Sequence, residues 1–330
     1  MIISRTPFRV SFFGGGTDFP AWYHQHGGAV LATSIDKYCY LSVRRLPPFF
    51  DYTYRVVYSR IENVSHIDEI QHPAVKAVLQ QEDIQGGLVI HHEGDLPART
   101  GLGSSSAFTV GLLNALRALK GQMVEKFALA REAIRIEQEV LQEAVGSQDQ
   151  ISAAMGGFNL IYFQPDGSFD IKPVIVAQER RQWLEKHMML FFTGISRFST
   201  EIAVNTIKNL GQNEAELHKM RSLVDDALHI LNTPSCPIAE FGQLLHETWM
   251  RKRALSAQIS TPFIDEIYDA ARDAGAIGGK LLGAGGGGFV LLFVEPPNQA
   301  AVRERLRHLV CVPIRFESEG SRIVLYNPEL

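Results

Sequence analysis

The chain has 330 residues, 45% of them apolar and 21% charged, with a formal net charge of -4. Those values describe a compact soluble protein with one large core or two ordinary domains. The acidic balance, without a dense Lys/Arg run, argues against nucleic acid as the main partner, so a small-molecule ligand is expected. Apolar runs such as residues 289–294 are too short to span a bilayer, and the N-terminus shows no positive region followed by an apolar core. Cys39, Cys236 and Cys311 are odd in number and widely spaced, which reads as free thiols in a reducing compartment and places the chain in the cytoplasm.

In chain order, apolar alternation and β-branched residues predict several strands over residues 2–57, among them 38–43. The first of these, residues 5–13, runs into the triple-glycine turn Gly14-Gly15-Gly16 and finishes on Thr17-Asp18. Residues 87–91 supply another strand. Next comes Pro97-Ala98-Arg99-Thr100-Gly101-Leu102-Gly103-Ser104-Ser105-Ser106-Ala107, followed by an apolar run. Two glycines let backbone N–H groups turn inward around an anion, and three hydroxyls add donors. A helix that starts there points its positive dipole end at the same place. This is phosphate-cradle chemistry, although a Gly/Ser turn capping a helix has the same composition. It is not a Walker loop, because Gly278-Gly279-Lys280 lacks the first glycine and continues into Leu281-Leu282. No H-R-D or D-F-G is present. A second helix follows the first, which is the wrong order for a βαβ dinucleotide turn.

Helices are predicted over about 105–119 and 124–144. On the second, Ala130, Ala133, Ile134, Val140 and Leu141 form an apolar stripe, and Glu137 falls within it. A carboxylate aimed at a core needs compensation, so Glu137 is a candidate Mg²⁺ ligand; an arginine partner or the solvent edge would also satisfy it. Gly146-Ser147-Gln148-Asp149-Gln150 then ends that helix and starts another. Asp149 there is either an N-cap or a catalytic carboxylate. Strands return near 158–163 and 188–193, the chain is mainly helical over 200–274, and strands and one helix close it over 287–294, 299–308, 310–316 and 323–326. The late run Lys280-Leu281-Leu282-Gly283-Ala284-Gly285-Gly286-Gly287-Gly288 permits close backbone approach to a ligand. A domain boundary is expected near 165–173, dividing the chain into 1–170 and 171–330.

With these residues in hand, the chain resembles the GHMP small-molecule kinases, which carry an Arg-containing first strand and turn, a Pro-x-x-x-Gly-Leu-Gly-Ser-Ser-Ser-Ala loop, and a late Lys-x-x-Gly-Ala-Gly-x-Gly-Gly loop. The resemblance spans nearly the whole chain. It implies an α+β fold with an N-terminal domain like ribosomal protein S5 domain 2 and a ferredoxin-like C-terminal domain. It implies that Pro97, Gly101, Leu102, Gly103, Ser104, Ser105, Ser106 and Ala107 form the ATP loop, with Ser105 or Ser106 and Glu137 on Mg²⁺. Asp149 is then the base and Arg9 lies near it or near the transferred phosphoryl group. Gly14, Gly15, Gly16, Thr17 and Asp18 would meet sugar hydroxyls, and Gly285 and Gly286 would line the substrate side. Galactokinases put Glu-His where this chain has Gly15-Gly16. The triple glycine, Gly-Ser-Gln-Asp-Gln, residues 192–197 and residues 249–253 are instead similar to D-glycero-D-manno-heptose 7-phosphate kinases. That likeness implies a second phosphate pocket, with Arg197, Lys252, Arg253 and Lys280 as candidates against the alternative of ordinary surface cations. A kinase for an unphosphorylated sugar such as fucose and a non-catalytic sugar and ATP sensor are the other readings. Oligomeric state is left open.

Overall fold

The computed structural model describes residues 1–84, 86–196 and 199–328. Two long antiparallel strands, β1 (Ile2–Phe13) and β2 (Gly28–Arg45), form its spine and flank a short helix, α1 (Pro20–His26). Pro20 stands in the first turn of α1, where a missing N–H costs nothing. β3 (Tyr54–Val57), β4 (Ile61–Val64), α2 (Pro73–Glu82) and β5 (Leu88–Gly94) follow. Next come α3 (Ser104–Leu119), α4 (Lys126–Arg135), α5 (Gln148–Met155), β6 (Phe158–Phe163) and β7 (Phe169–Pro173). The 18-residue length of β2 lets one of its edges hold β6 along Gly28 to Thr33, a short return strand at Ser34 and Ile35, and β5 along Cys39 to Arg45. The buried stripe of α3, including Ala107, Val110, Leu113 and Leu116, covers β1 and β2.

The second half supplies α6 (Gln178–Lys186), β8 (Met188–Phe192), α7 (Ser199–Lys208), α8 (Glu214–Asn232), α9 (Ala239–Ala254) and α10 (Pro262–Asp273). It closes with β9 (Ala276–Leu281), β10 (Phe289–Val294), α11 (Gln299–Arg305), β11 (Val310–Val312), β12 (Phe316–Glu317) and β13 (Arg322–Tyr326). Its four-stranded antiparallel sheet has the order β11-β8-β10-β9, which is 4-1-3-2 in order of appearance, as a ferredoxin-like unit requires. Phe12 and Phe13 of β1 pack edge-on against Phe241 of α9, 5.6 and 5.1 Å between ring centroids, and Phe241 meets Phe293 of β10. This aromatic seam fuses the two cores.

Three features differ from the sequence reading. The chain does not divide cleanly at residue 170: β7 runs through Pro173 in the first sheet, and β12 and β13 return from the far end to pair with β2 and β1. Strands were expected over 310–316 and 323–326, but their pairing with the first sheet is set by tertiary contacts that no local periodicity encodes. The helix expected over 124–144 breaks instead, because α4 ends at Arg135, a π-turn covers Ile136–Val140, and the chain then leaves helical geometry. α1 and α2 were not foreseen, being short elements inside strand-like surroundings. No helix among the described residues is long and apolar enough to cross a membrane, and the three cysteines are free thiols.

Candidate active site

The cleft opens where the end of β1, the start of α3 and the late glycine loop meet. The approach is backbone to backbone. A Cβ on Gly101, at φ +82°, would lie 2.5 Å from the Leu282 carbonyl oxygen, and one on Gly283, at φ +71°, would lie 2.4 Å from Gly101 Cα. Only glycine fits at both positions, so the early and late loops lock together. Gly103 stands just before α3 in the left-handed region, at φ +74°, and its N-terminal helix end faces the cleft.

Arg9 and Asp149 meet under this loop. Arg9 Nε and Nη2 donate to Asp149 Oδ1 and Oδ2 at 2.7 and 2.9 Å, and Nη1 donates to the Gly101 carbonyl at 2.7 Å. The Arg9 side chain is 4% exposed, so a bidentate pair in a low-dielectric setting fixes the aspartate's plane. Asp149 lies in the first turn of α5, whose preceding residue Ser147 donates its N–H to the Asp18 carbonyl. The turn carrying Asp18 and the helix carrying Asp149 are thereby tied. Burial, and then the Asp149 charge, push the Asp18 carboxyl above its ordinary range.

Glu137 sits in the π-turn, a geometry that often re-aims a functional side chain. Its Oε2 accepts from Ser106 Oγ at 2.8 Å and from Gln150 Nε2 at 2.5 Å, while its buried Oε1 has no hydrogen-bond partner. Burial pushes its carboxyl up to about 7. Ser11 Oγ, Gln148 Oε1 and Gln150 Oε1 are likewise buried and unpartnered. A buried carboxylate whose Oε1 has at most the neighbouring Thr109 hydroxyl, beside a phosphate-type cradle, offers the hard oxygen donor that Mg²⁺ takes, so these residues fit that ion.

The opposite wall is cationic. Lys280 Nζ donates to the Phe12 carbonyl at 2.9 Å, and Lys252 Nζ donates to the Leu281 carbonyl at 3.0 Å and to the Gly283 carbonyl. Among the described residues neither ammonium forms an ion pair with a carboxylate. Burial, reinforced by Arg9, pulls Lys252 down to about 7, and burial, Lys252 and Arg9 pull Lys280 well down.

Family comparison agrees with this architecture at both ends. The model for the GHMP kinases N terminal domain matches residues 69–157, and that for the GHMP kinases C terminal matches residues 237–310. This chain belongs to the GHMP kinases. It is 29% identical to the D-glycero-alpha-D-manno-heptose 7-phosphate kinase of Campylobacter jejuni, over 93% of each chain. The L-fucokinase/L-fucose-1-P guanylyltransferase of Bacteroides fragilis is 27% identical across 92% of this chain and 36% of that longer protein. In fold it matches the crystal structure of a D-glycero-D-manno-heptose 1-phosphate kinase from Bacteroides thetaiotaomicron with a TM-score of 0.79, at 23% identity over 99% of this chain and 100% of the other.

In this GHMP kinase the structure brings Arg9, Gly15, Gly16, Asp18, Gly101, Gly103, Ser104, Ser105, Ser106, Asp149, Lys252 and Lys280 to one cavity. It distributes other residues differently. Ser106, not Ser105, contacts Glu137; the Ser105 side chain is exposed toward the cavity. Leu102 and Ala107 are buried core residues behind the loop, and the Pro97 carbonyl accepts from Thr100 Oγ1. Thr17 donates its hydroxyl to the Gly14 carbonyl at 2.8 Å, so both shape the turn from inside. Gly285 and Gly286 press on Ile259, with Gly286 N–H donating to its carbonyl, and support the cleft instead of lining it. Arg253 pairs with Asp265 at 2.9 Å and lies over Trp249, outside the cavity. Arg197 lies outside the described residues. Gln148 and Gln150 were missed in the sequence, although their place on either side of Asp149 was the available signal.

Proposed function

We propose that this GHMP kinase is an ATP-dependent sugar kinase that transfers the γ-phosphoryl group to the anomeric hydroxyl of D-glycero-D-manno-heptose 7-phosphate, giving the 1,7-bisphosphate. The observation that carries the reading is the pair of lysines, Lys280 buried and Lys252 half-buried, that line the same cavity as Arg9 and Asp149. A buried ammonium that meets only carbonyls is costly, and an acceptor's own phosphate supplies the missing charge. The likeness to a heptose 7-phosphate kinase over 93% of each chain supports the same acceptor.

In this reading Gly101, Gly103 and the hydroxyls of Ser104, Ser105 and Ser106 hold the nucleotide phosphates. Glu137 and Ser106 hold Mg²⁺, which when bound neutralises charge on the phosphate oxygens. Asp149, its plane set by Arg9, orients the acceptor hydroxyl and receives its proton. Arg9 adds positive charge where the transferred group gathers negative charge. Asp18 and the turn at Gly15 and Gly16 meet the sugar hydroxyls. No covalent enzyme intermediate is needed.

The test is ADP release with Mg-ATP against hexoses and heptoses, each with and without a terminal phosphate, and phosphorus NMR of the product. Selective turnover of the heptose 7-phosphate with a new phosphate on carbon 1 supports the reading. Preference for an unphosphorylated sugar such as fucose removes the second phosphate pocket, and ATP binding with no turnover across the panel favours a sensor.

A further inference from the structure

Away from the cleft, three side chains with metal-binding atoms converge where α1 meets α8. His26 is the last residue of α1; Glu214 and His218 are four apart at the start of α8, so one helical turn places them on the same face. One ligand atom from each lies within 4.8 Å of the others, and all three side chains are exposed. His218 Nε2 is already 3.5 Å from Glu214 Oε1.

A second observation sets the rings. Trp22 is buried at 2% exposure, stacks on His26 with centroids 4.2 Å apart, and meets His218 edge-on at 5.0 Å. The two imidazoles stand perpendicular to each other, 5.2 Å between centroids. They share one aromatic floor, which restricts their rotamers before any ligand arrives. Zinc bonds of about 2.0 to 2.1 Å in a tetrahedron place donors roughly 3.3 Å apart. Exposed side chains reach that spacing from the present one by small χ rotations with the backbone in place.

We infer that His26, Glu214 and His218 form a binding site for a divalent transition metal, Zn²⁺ foremost, with solvent completing the coordination. Two imidazoles and one carboxylate select this class over Mg²⁺ and Ca²⁺, which require oxygen. The site is a clip, not part of the chemistry. α1 begins two residues after Asp18, and α8 lies on the other side of the same turn: a Cβ on Gly16 would lie 3.1 Å from Leu217, and one on Gly14 2.9 Å from Val224. Metal between His26 and His218 therefore fastens both flanks of the turn that carries Asp18.

Full-length protein stripped with a chelator and titrated with Zn²⁺ against a chromogenic competitor, in millimolar Mg²⁺, tests this. One Zn²⁺ per chain is expected, weakened at least tenfold by His26→Ala or His218→Ala, with Zn²⁺ raising the Tm of the parent and not of the double variant. Because both histidines are exposed the variants fold, which circular dichroism checks. Bound Co²⁺ should show no thiolate charge-transfer band, and Ni²⁺ should quench emission that disappears in Trp22→Phe. Unchanged affinity in the double variant, absence of stoichiometric binding, or a thiolate band placing the metal on Cys236 or Cys311 overturns the site.

Discussion

The two walls of the cleft handle charge in opposite ways. On the first wall Arg9 meets Asp149 in a bidentate pair, and an Nη1 N–H donates to the Gly101 carbonyl. On the second, Lys252 and Lys280 meet only main-chain oxygens, and burial pulls both ammonium groups down. A satisfied pair is already in its working geometry and resists reorganisation. An unsatisfied cation destabilises the empty fold and gains when an anion enters. In the proposed function the first wall positions a reacting group and the second recognises a charged ligand.

That contrast can be broken at several points. The largest effect is expected from Asp149→Asn, which keeps the shape of the first wall and removes its charge: kcat should fall by about 10² to 10⁴ while nucleotide binding is largely intact. Steady-state kinetics with a separate nucleotide titration checks this, and near-normal turnover would remove Asp149 from the mechanism. Gly101→Ala attacks the joint between the walls by placing a methyl group against the Leu282 carbonyl at positive φ. It should cost about 2 to 4 kcal/mol in denaturant unfolding, since neither backbone can give way.

Lys252→Met addresses the second wall alone. Loss of a charge-assisted hydrogen bond should raise KM for a phosphorylated acceptor by about 10- to 100-fold and leave an unphosphorylated one unchanged. The parent's kcat/KM for the phosphorylated acceptor should decline as pH rises through about 7, where Lys252 loses its proton. Stability should move the other way. Between about 7 and the ordinary lysine value of 10.5, the unfolded chain holds a proton that the folded one does not, so this group's contribution to stability increases with pH across that window. Lys252→Met flattens both profiles. The smallest effect belongs to Arg253→Ala, whose partly exposed pair with Asp265 lies outside the cavity; it should change stability by under about 0.5 kcal/mol and leave kinetics unaltered.

The same asymmetry governs how much of the site could be read from sequence. The first wall announces itself through residue types: glycines that no other residue replaces, a hydroxyl triplet opening a helix, and Glu137 inside an apolar stripe. The second does not. Lys252 and Arg253 are neighbours on one helix and alike as letters, yet Lys252 turns under the late glycine loop while Arg253 pairs outward with Asp265. Only the packing of α9 on β9 decides between them. The break at Glu137 was equally hidden, because a π-turn inserts one extra residue without disturbing the apolar pattern before it.

The return of β13 to the edge of β1 has a consequence for biosynthesis. β1 is among the first strands made, yet one of its two neighbours is the last strand of the fold to emerge. At roughly 5 to 20 residues per second, the outer edge of β1 waits on the order of tens of seconds for its partner. Through that interval a nascent chain carries an open hydrogen-bonding edge on β1, the kind of edge that pairs with other chains unless something covers it.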